Sequence, residues 1–396
     1  MRDRPADQSD SSSGNGASQW HAPRRIVVKL GTNLITNARG TIDEAMLTGL
    51  VDQLAEVHAS GTEVLVVTSG AVGAGREVLS RSQSPEKLQR RPVAYRQALA
   101  ALGQTQLMMM YERLFDRHNI QVAQALISRG DLARRVGYLN VRNTLEALLE
   151  IGAVPIINEN DVVAIEELSG VVYGDNDRLS AMVANAVDAE LLILLGEMPG
   201  LFSADPNLDS TARIIAEVPR ITAEIRKMAG GPHDGRGSGG MASKLEAADL
   251  ATSSGTPMVI ASGRDENAIK RICDGERIGT WFATRVSRIE ARKRWMMTGV
   301  TDNHGWVSVD EGAAEALQKR GVSLLPAGIT GVTGRFERGD IIGVRDRTGR
   351  VIAWGLASYP SSDIQEIKGR KSSEVLSLLG HYYGVEVVHR NNMALV

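Results

Sequence analysis

Two lysines stand in or beside glycine-rich stretches: Lys29 in "KLGTN" and Lys244 at the end of "GRGSGGMASK" (235–244). Between them lie "TSGAVGAGR" (68–76), "NEND" (158–161) and "GDNDRLS" (174–180), which contribute Ser69, Asn158, Asp161, Asn176 and Asp177. A lysine entering a glycine turn can reach a phosphate, with backbone N–H groups assisting it. The small residues after Thr68 let a backbone approach a ligand closely, and Ser69 adds a hydroxyl. The side chains of "NEND" could bind an amino group and a carboxylate. Ahead of Lys244, the amide groups of Ser238, Gly239, Gly240 and Met241 form a candidate phosphate cradle at a helix start. Taken singly, each stretch also fits a solvated turn, tight helix–strand packing or a linker. A Walker A loop, G-x-x-x-x-G-K-[ST], does not occur in the chain.

Together, two lysines, two glycine loops and a carboxylate cluster describe phosphoryl transfer between two anions. Such partners repel each other, so catalysis is mainly positioning plus positive charge on the transferred group. No histidine lies in these motifs to serve as general base. A carboxylate acceptor, already ionised at neutral pH, needs none. The pattern therefore favours a kinase that makes an acyl phosphate over one that acts on a hydroxyl.

These residues need a scaffold, and the apolar runs predict one. "RIVVKL" (25–30), "EVLVVTS" (63–69), "IQVAQALI" (120–127), "GAVPIIN" (152–158), "ELLILL" (190–195) and "TPMVIA" (256–261) are rich in Val and Ile, as strands buried on both faces should be. Helical patterns separate them. In the first, Leu47, Leu50, Val51, Leu54 and His58 share a face, and Thr41 with Glu44 has capping-box spacing. The alternation predicts an α/β fold with a mostly parallel sheet sandwiched by helices. Ligands in such folds sit beyond the carboxyl ends of the strands, where all five motifs fall.

After the basic "RKR" (292–294) the texture changes to short strands broken by glycines, with "RTGR" (347–350) as a hairpin turn. The expected organisation is a polar, disordered tail (1–22), an α/β domain (23–280), a linker (281–300) and a small β-rich domain (301–396).

Composition narrows the classes. The net charge of −2 exerts no general pull toward nucleic acid or an anionic membrane. Residues 300–396 carry eleven acidic and eleven basic side chains, so the β-rich domain lacks the electrostatic footprint of a nucleic-acid binder. No apolar run approaches the roughly 18 residues of a membrane span. The single cysteine, Cys273, excludes an internal disulfide and fits a reducing compartment. The tail lacks the apolar stretch of a secretory signal, so a cytoplasmic protein is expected.

"VVKLGTNLIT", "VTSGAVGAGR", "NENDVV", "GDNDRLSA" and "GGMASK", in that order, resemble the amino acid kinase family. "VDEGAAEALQKRGVSLLPAGITGVTGRFERGD", with "HRNNM" near the end, is similar to the PUA domain appended to bacterial members of that family. The resemblance implies the amino acid kinase fold with a PUA-like C-terminal domain. It also implies an enzyme that phosphorylates the side-chain carboxylate of L-glutamate with ATP and Mg²⁺, giving L-glutamyl 5-phosphate for proline synthesis. By motif position it puts Lys29 on the ATP phosphates, Lys244 on the phosphoryl group in flight, and Asp177 between the two lysines. Ser69, Asn158, Asp161 and Asn176 would surround the glutamate; Ser238, Gly239, Gly240 and Met241 would line the nucleotide side. Metal ligands are not assigned, and Asp175 either caps a helix or helps to order Mg²⁺. A homo-oligomer with proline as feedback inhibitor is implied as well.

The chain departs from the family at one place. A Thr-Asp pair usually follows the fifth strand, a few residues before Gly-Leu-Tyr; "LGEMPGLF" has Leu195 and Gly196 there, which alters the nucleotide side. Two competing readings are another carboxylate, carbamate or nucleoside monophosphate kinase of the same fold, and an RNA-binding protein with a degenerate kinase domain. The PUA-like tail and the acceptor-side motifs argue against the first. The charge balance of the tail argues against the second.

Overall fold

The computed structural model describes residues 21–80, 92–163, 176–206, 208–229, 240–287, 290–291 and 305–396. Asp175, Ser238, Gly239, the "RKR" cluster and nearly all of the 1–22 tail lie outside the described residues, as does most of the 281–300 linker.

The apolar runs form the strands they predict. β1 (Arg25–Leu30), β2 (Glu63–Val67), β3 (Val122–Ile127), β4 (Val154–Glu159), β5 (Leu191–Gly196), β6 (Glu217–Val218), β7 (Met258–Ser262) and β8 (Thr280–Phe282) make one sheet in the order β3-β4-β2-β1-β5-β7-β8-β6. Every neighbouring pair is parallel except β7 with β8. Side chains alternate between two cores, as the period of two along a strand requires. Ile26, Val28 and Leu30 join the core under one helical layer, and Val27 joins the other.

The helices between the strands are α1 (Thr32–Ile35), α2 (Glu44–Ala59), α3 (Ala71–Ser80), α4 (Pro92–Asp116), α5 (Arg129–Ala133), α6 (Arg135–Glu150), α7 (Asn176–Ala186), α8 (Ala223–Met228), α9 (Met241–Ser253) and α10 (Ala268–Cys273). α2 and α4 bury Leu47, Leu54, Leu107, Tyr111 and Phe115 against one face. α6, α7 and α9 bury Leu145, Leu179, Val183 and Leu245 against the other. The start of α2 differs from its expected capping box. Asp43 is the cap and its Oδ1 accepts from the amide of Met46 at 3.1 Å, while Thr41 is drawn into the preceding turn by Asn37. His58, expected among the packed residues, is half-buried.

α3 and α4 meet backbone to backbone. A Cβ added at Gly103 would overlap the carbonyl of Ala71, and one at Gly75 would overlap that of Leu99. Only glycine allows this approach, and it fixes the long helix α4 over the ends of the central strands.

The second sheet has the order β10-β9-β11-β12-β13, from β9 (Trp306–Val309), β10 (Ile329–Thr333), β11 (Ile341–Arg345), β12 (Val351–Leu356) and β13 (Met393–Leu395). The "RTGR" turn joins β11 to β12 as expected: Asp346 Oδ1 accepts from the amides of Thr348 and Arg350, and Gly349 takes a positive φ of 85°. This sheet leans on α6. Leu139 packs with Ile341, Trp354 and Leu356, and Arg338 donates to Asn140 Oδ1 at 2.7 Å.

His389 lies at the same seam. Burial, aided by the positive charge of Arg142, lowers its pKa from the ordinary 6.5 to about 4. Its Nδ1 accepts from the amide of Asn391, a bond that needs the neutral ring. The unfolded chain therefore takes up a proton near pH 6.5 that the folded chain refuses until about pH 4. Stability should fall as the pH drops through that window and should not respond to this group above it. Unfolding midpoints measured from pH 7 to pH 4 should show this decline, and His389→Asn, which keeps an acceptor without a titrating ring, should flatten it.

Candidate active site

β1 is the switch point of the sheet. The chain leaves it for β2 and the strands beyond on one side, then returns to pair β5 on the other. The crevice beyond the carboxyl end of such a strand is where open α/β sheets bind ligands. Lys29 is the penultimate residue of β1, in register with Val67 and Leu194, and only 1 % of its surface is exposed.

Asp177 waits beside it, fully buried in the first turn of α7, where a helix N-terminus favours a carboxylate. Lys29 Nζ is 2.5 Å from Asp177 Oδ1, and Lys244 Nζ is 2.9 Å from Oδ2. Ser243 Oγ donates to the same Oδ2 at 3.0 Å. Lys244 comes from the first turn of α9, where a cation opposes the helix dipole; the Asp177 carboxylate is what holds it there. Gly240 caps α9 and has no side chain to satisfy the first amide groups, an arrangement that leaves them for an anion. Met241 follows at the first helical position, half-buried against the second core.

A second cluster adjoins the first. Asn176 Nδ2 donates to the carbonyl of Thr68, to Ser69 Oγ at 3.2 Å and to Asn158 Oδ1 at 2.9 Å. Asn158 Oδ1 also accepts from the amide of Glu159, while its Nδ2 donates to Gln104 Oε1 at 2.8 Å. Ser69, Asn158 and Asn176, separated by as much as 107 residues, thus form one polar group at the ends of β2 and β4 and the start of α7. Asp161 stands at its rim, partly exposed, in the turn after β4. The two aspects of "DND" are divided between neighbours, with Asn176 in the amide cluster and Asp177 between the lysines.

Leu195 and Gly196, at the position of the family's Thr-Asp pair, are the last two residues of β5. The side chain of Leu195 is buried in the core, because strand alternation turns it away from the ligand edge. It offers only its carbonyl, which accepts from the amide of Gly31 at 3.0 Å. Gly196 does face the site: a Cβ there would lie 3.7 Å from Lys244 Cε. Gly31 is crowded between these groups, its added Cβ falling 3.1 Å from the Leu195 carbonyl and 3.9 Å from Lys29 Nζ. The polar side chain at this strand end belongs to Glu197, exposed and paired with Arg264 at 2.9 Å.

Sequence reasoning passed over Ser243, Gly31, Glu159 and Gln104. Ser243 lies inside "GRGSGGMASK" and Glu159 inside "NEND", and Gly31 is the turn glycine of "KLGTN" itself. Glu159 is buried, with Arg129 Nε at 3.6 Å. Gln104 had one signal, a polar residue on a helix face otherwise spent on the core.

Residues 24–262 match the amino acid kinase family and residues 305–379 match the PUA domain. With more than half its length in the first match, the chain belongs to the amino acid kinase family. Three curated relatives to which it is similar are each named glutamate 5-kinase. The one from Dehalococcoides mccartyi (strain CBDB1) is 45% identical, covering 94% of this chain and 98% of its own. That from Herpetosiphon aurantiacus is 45% identical over 93% of this chain and 97% of its own, and that from Deinococcus radiodurans 44% identical over 94% and 100%. Among solved structures, an isopentenyl phosphate kinase is similar with a TM-score of 0.48 at 19% identity, covering 65% of this chain and 100% of that one.

Proposed function

We propose that this chain transfers the γ-phosphoryl group of ATP to the side-chain carboxylate of L-glutamate, giving ADP and L-glutamyl 5-phosphate. The observation that carries the reading is the pair of buried lysines converging on Asp177 at the switch point of the sheet. Relatives of near full-length coverage named glutamate 5-kinase support the choice of acceptor.

In this reading Lys29 and the amide groups at the start of α9 hold the nucleotide phosphates, and Lys244 follows the phosphoryl group as it moves. Asp177 acts on neither reactant; it keeps both ammonium groups aimed at one point. An oxygen of the acceptor carboxylate attacks the γ-phosphorus while the bond to the β-phosphate oxygen breaks, and ADP leaves with that electron pair. No proton changes hands, since a glutamate side chain with its ordinary pKa near 4.3 is already ionised. Ser69, Asn158 and Asn176, with Asp161 at the rim, hold the amino acid. Asn176 Oδ1, buried and without a hydrogen-bond partner among the described residues, is the acceptor we assign to its ammonium group.

Mg²⁺ belongs to the reading as the ion that accompanies ATP, where it screens the phosphate charge. Such an ion keeps several waters and takes one or two carboxylates with the phosphates. Both oxygens of Asp177 are engaged by the lysines, so the residues present fit an ion carried chiefly by the nucleotide. The reading extends to a cytoplasmic homo-oligomer inhibited by proline, with a kinase domain through about residue 280, a linker, and a PUA-like domain that braces α6 rather than binding nucleic acid. No helix among the described residues is long and apolar enough to cross a membrane.

The test is acyl phosphate formation, trapped as hydroxamate, with ATP, Mg²⁺ and a panel of glutamate, aspartate and N-acetylglutamate. Turnover with glutamate above the others is expected. Preference for another acceptor, or none from folded protein, would overturn the assignment.

A further inference from the structure

One face of α4 bonds the strand ends of β2 and β4 that carry the acceptor cluster. Gln97, Gln104 and Tyr111 are spaced by seven residues, about two helical turns, so they form a stripe that drifts only ~20° per step. Gln97 Nε2 donates to the carbonyls of Asp161 and Val162 at 3.1 and 3.2 Å. Gln104 Oε1 accepts from Asn158 Nδ2 at 2.8 Å. The Tyr111 hydroxyl bonds Thr68 Oγ1 at 2.6 Å, and burial holds its pKa well above the ordinary phenol value, so it stays neutral. The seam rests on a fixed base, because the glycine contact at Gly103 leaves α4 no room to move toward α3.

Gln104 has a particular task within this stripe. Asn158 must turn Oδ1 toward Asn176 Nδ2 and the amide of Glu159, both of which donate. That orientation is satisfied only if Nδ2, on the other side, finds an acceptor. Gln104 supplies it. Without that acceptor, a buried donor is left unpaired and the amide gains by turning over, which would set two donors against each other at Asn176.

Building on the function proposed above, we propose that Gln104, flanked by Gln97, is a positioning residue for the amino acid acceptor. It orients Asn158 and hence Asn176, sets acceptor affinity, and leaves the nucleotide side alone.

Steady-state constants for both substrates test this in the full chain. Gln104→Met keeps the volume and removes the acceptor; its KM for glutamate should rise about tenfold, the factor equivalent to 1.4 kcal/mol, with KM for ATP within about twofold of the parent. Gln97→Ala, at a half-buried site, should raise the glutamate KM by about threefold, again without moving that for ATP. It decides the matter if Gln104→Met does not fold. A parallel rise in both KM values, or no change in either, would overturn the proposal. An inactive parent chain would instead indict the functional reading, so the two failures are distinguishable.

Discussion

Lys244→Ala should lower kcat by about three orders of magnitude while unfolding close to the parent chain. A single preorganised donor to a developing charge contributes about 10²–10³ in rate, and cationic groups on transferring phosphoryl oxygens about 10³–10⁵. Stability should change little because Asp177 keeps two partners after the substitution, Lys29 at 2.5 Å and Ser243 at 3.0 Å. Steady-state kinetics with a thermal melt give both numbers. A loss of less than about tenfold would mean that the ammonium does not follow the phosphoryl group.

Asp177→Asn should damage both activity and stability. The carboxylate is fully buried between two lysines that are 1 % and 9 % exposed. Removing the charged partner from a buried ion pair costs about 3–5 kcal/mol, since the remaining charge is left in a poor solvent. The urea midpoint should fall accordingly, and saturating ATP should restore more stability to the variant than to the parent, its phosphates replacing the lost anion. Turnover should drop by at least about 10² as the lysines lose their common aim. A variant that melts like the parent would show that Asp177 does not hold the cations.

Much of this was legible because the signals were local. Six apolar runs became six strands of one sheet, and a motif at the end of each relevant strand was bound to meet the others in a parallel fold. The division of Asn176 and Asp177 between two neighbours was implied by the family resemblance alone; in the fold Asn176 bonds Ser69 and Asn158, and Asp177 lies between the lysines. What escaped depended on pairings distant in sequence. Gln104 meets Asn158 across 54 residues and Tyr111 meets Thr68 across 43, and nothing in α4 itself announces either partner. At Leu195, strand alternation turns the side chain into the core and leaves the backbone at the strand end, a detail that the motif position alone does not carry. Thr41 had the spacing of a cap, but Asp43 was nearer the helix and the stronger competitor for its amide groups.

The central claim is that a carboxylate oxygen of the acceptor attacks the γ-phosphorus. It can be read from one measurement: turnover of L-glutamate labelled with ¹⁸O in its side-chain carboxylate, trapped by hydroxylamine, with the released phosphate analysed by mass. Hydroxylamine cleaves the acyl C–O bond, so the account predicts one ¹⁸O in each phosphate. Phosphate without label would mean that water, not the acceptor, takes the phosphoryl group, and would contradict it.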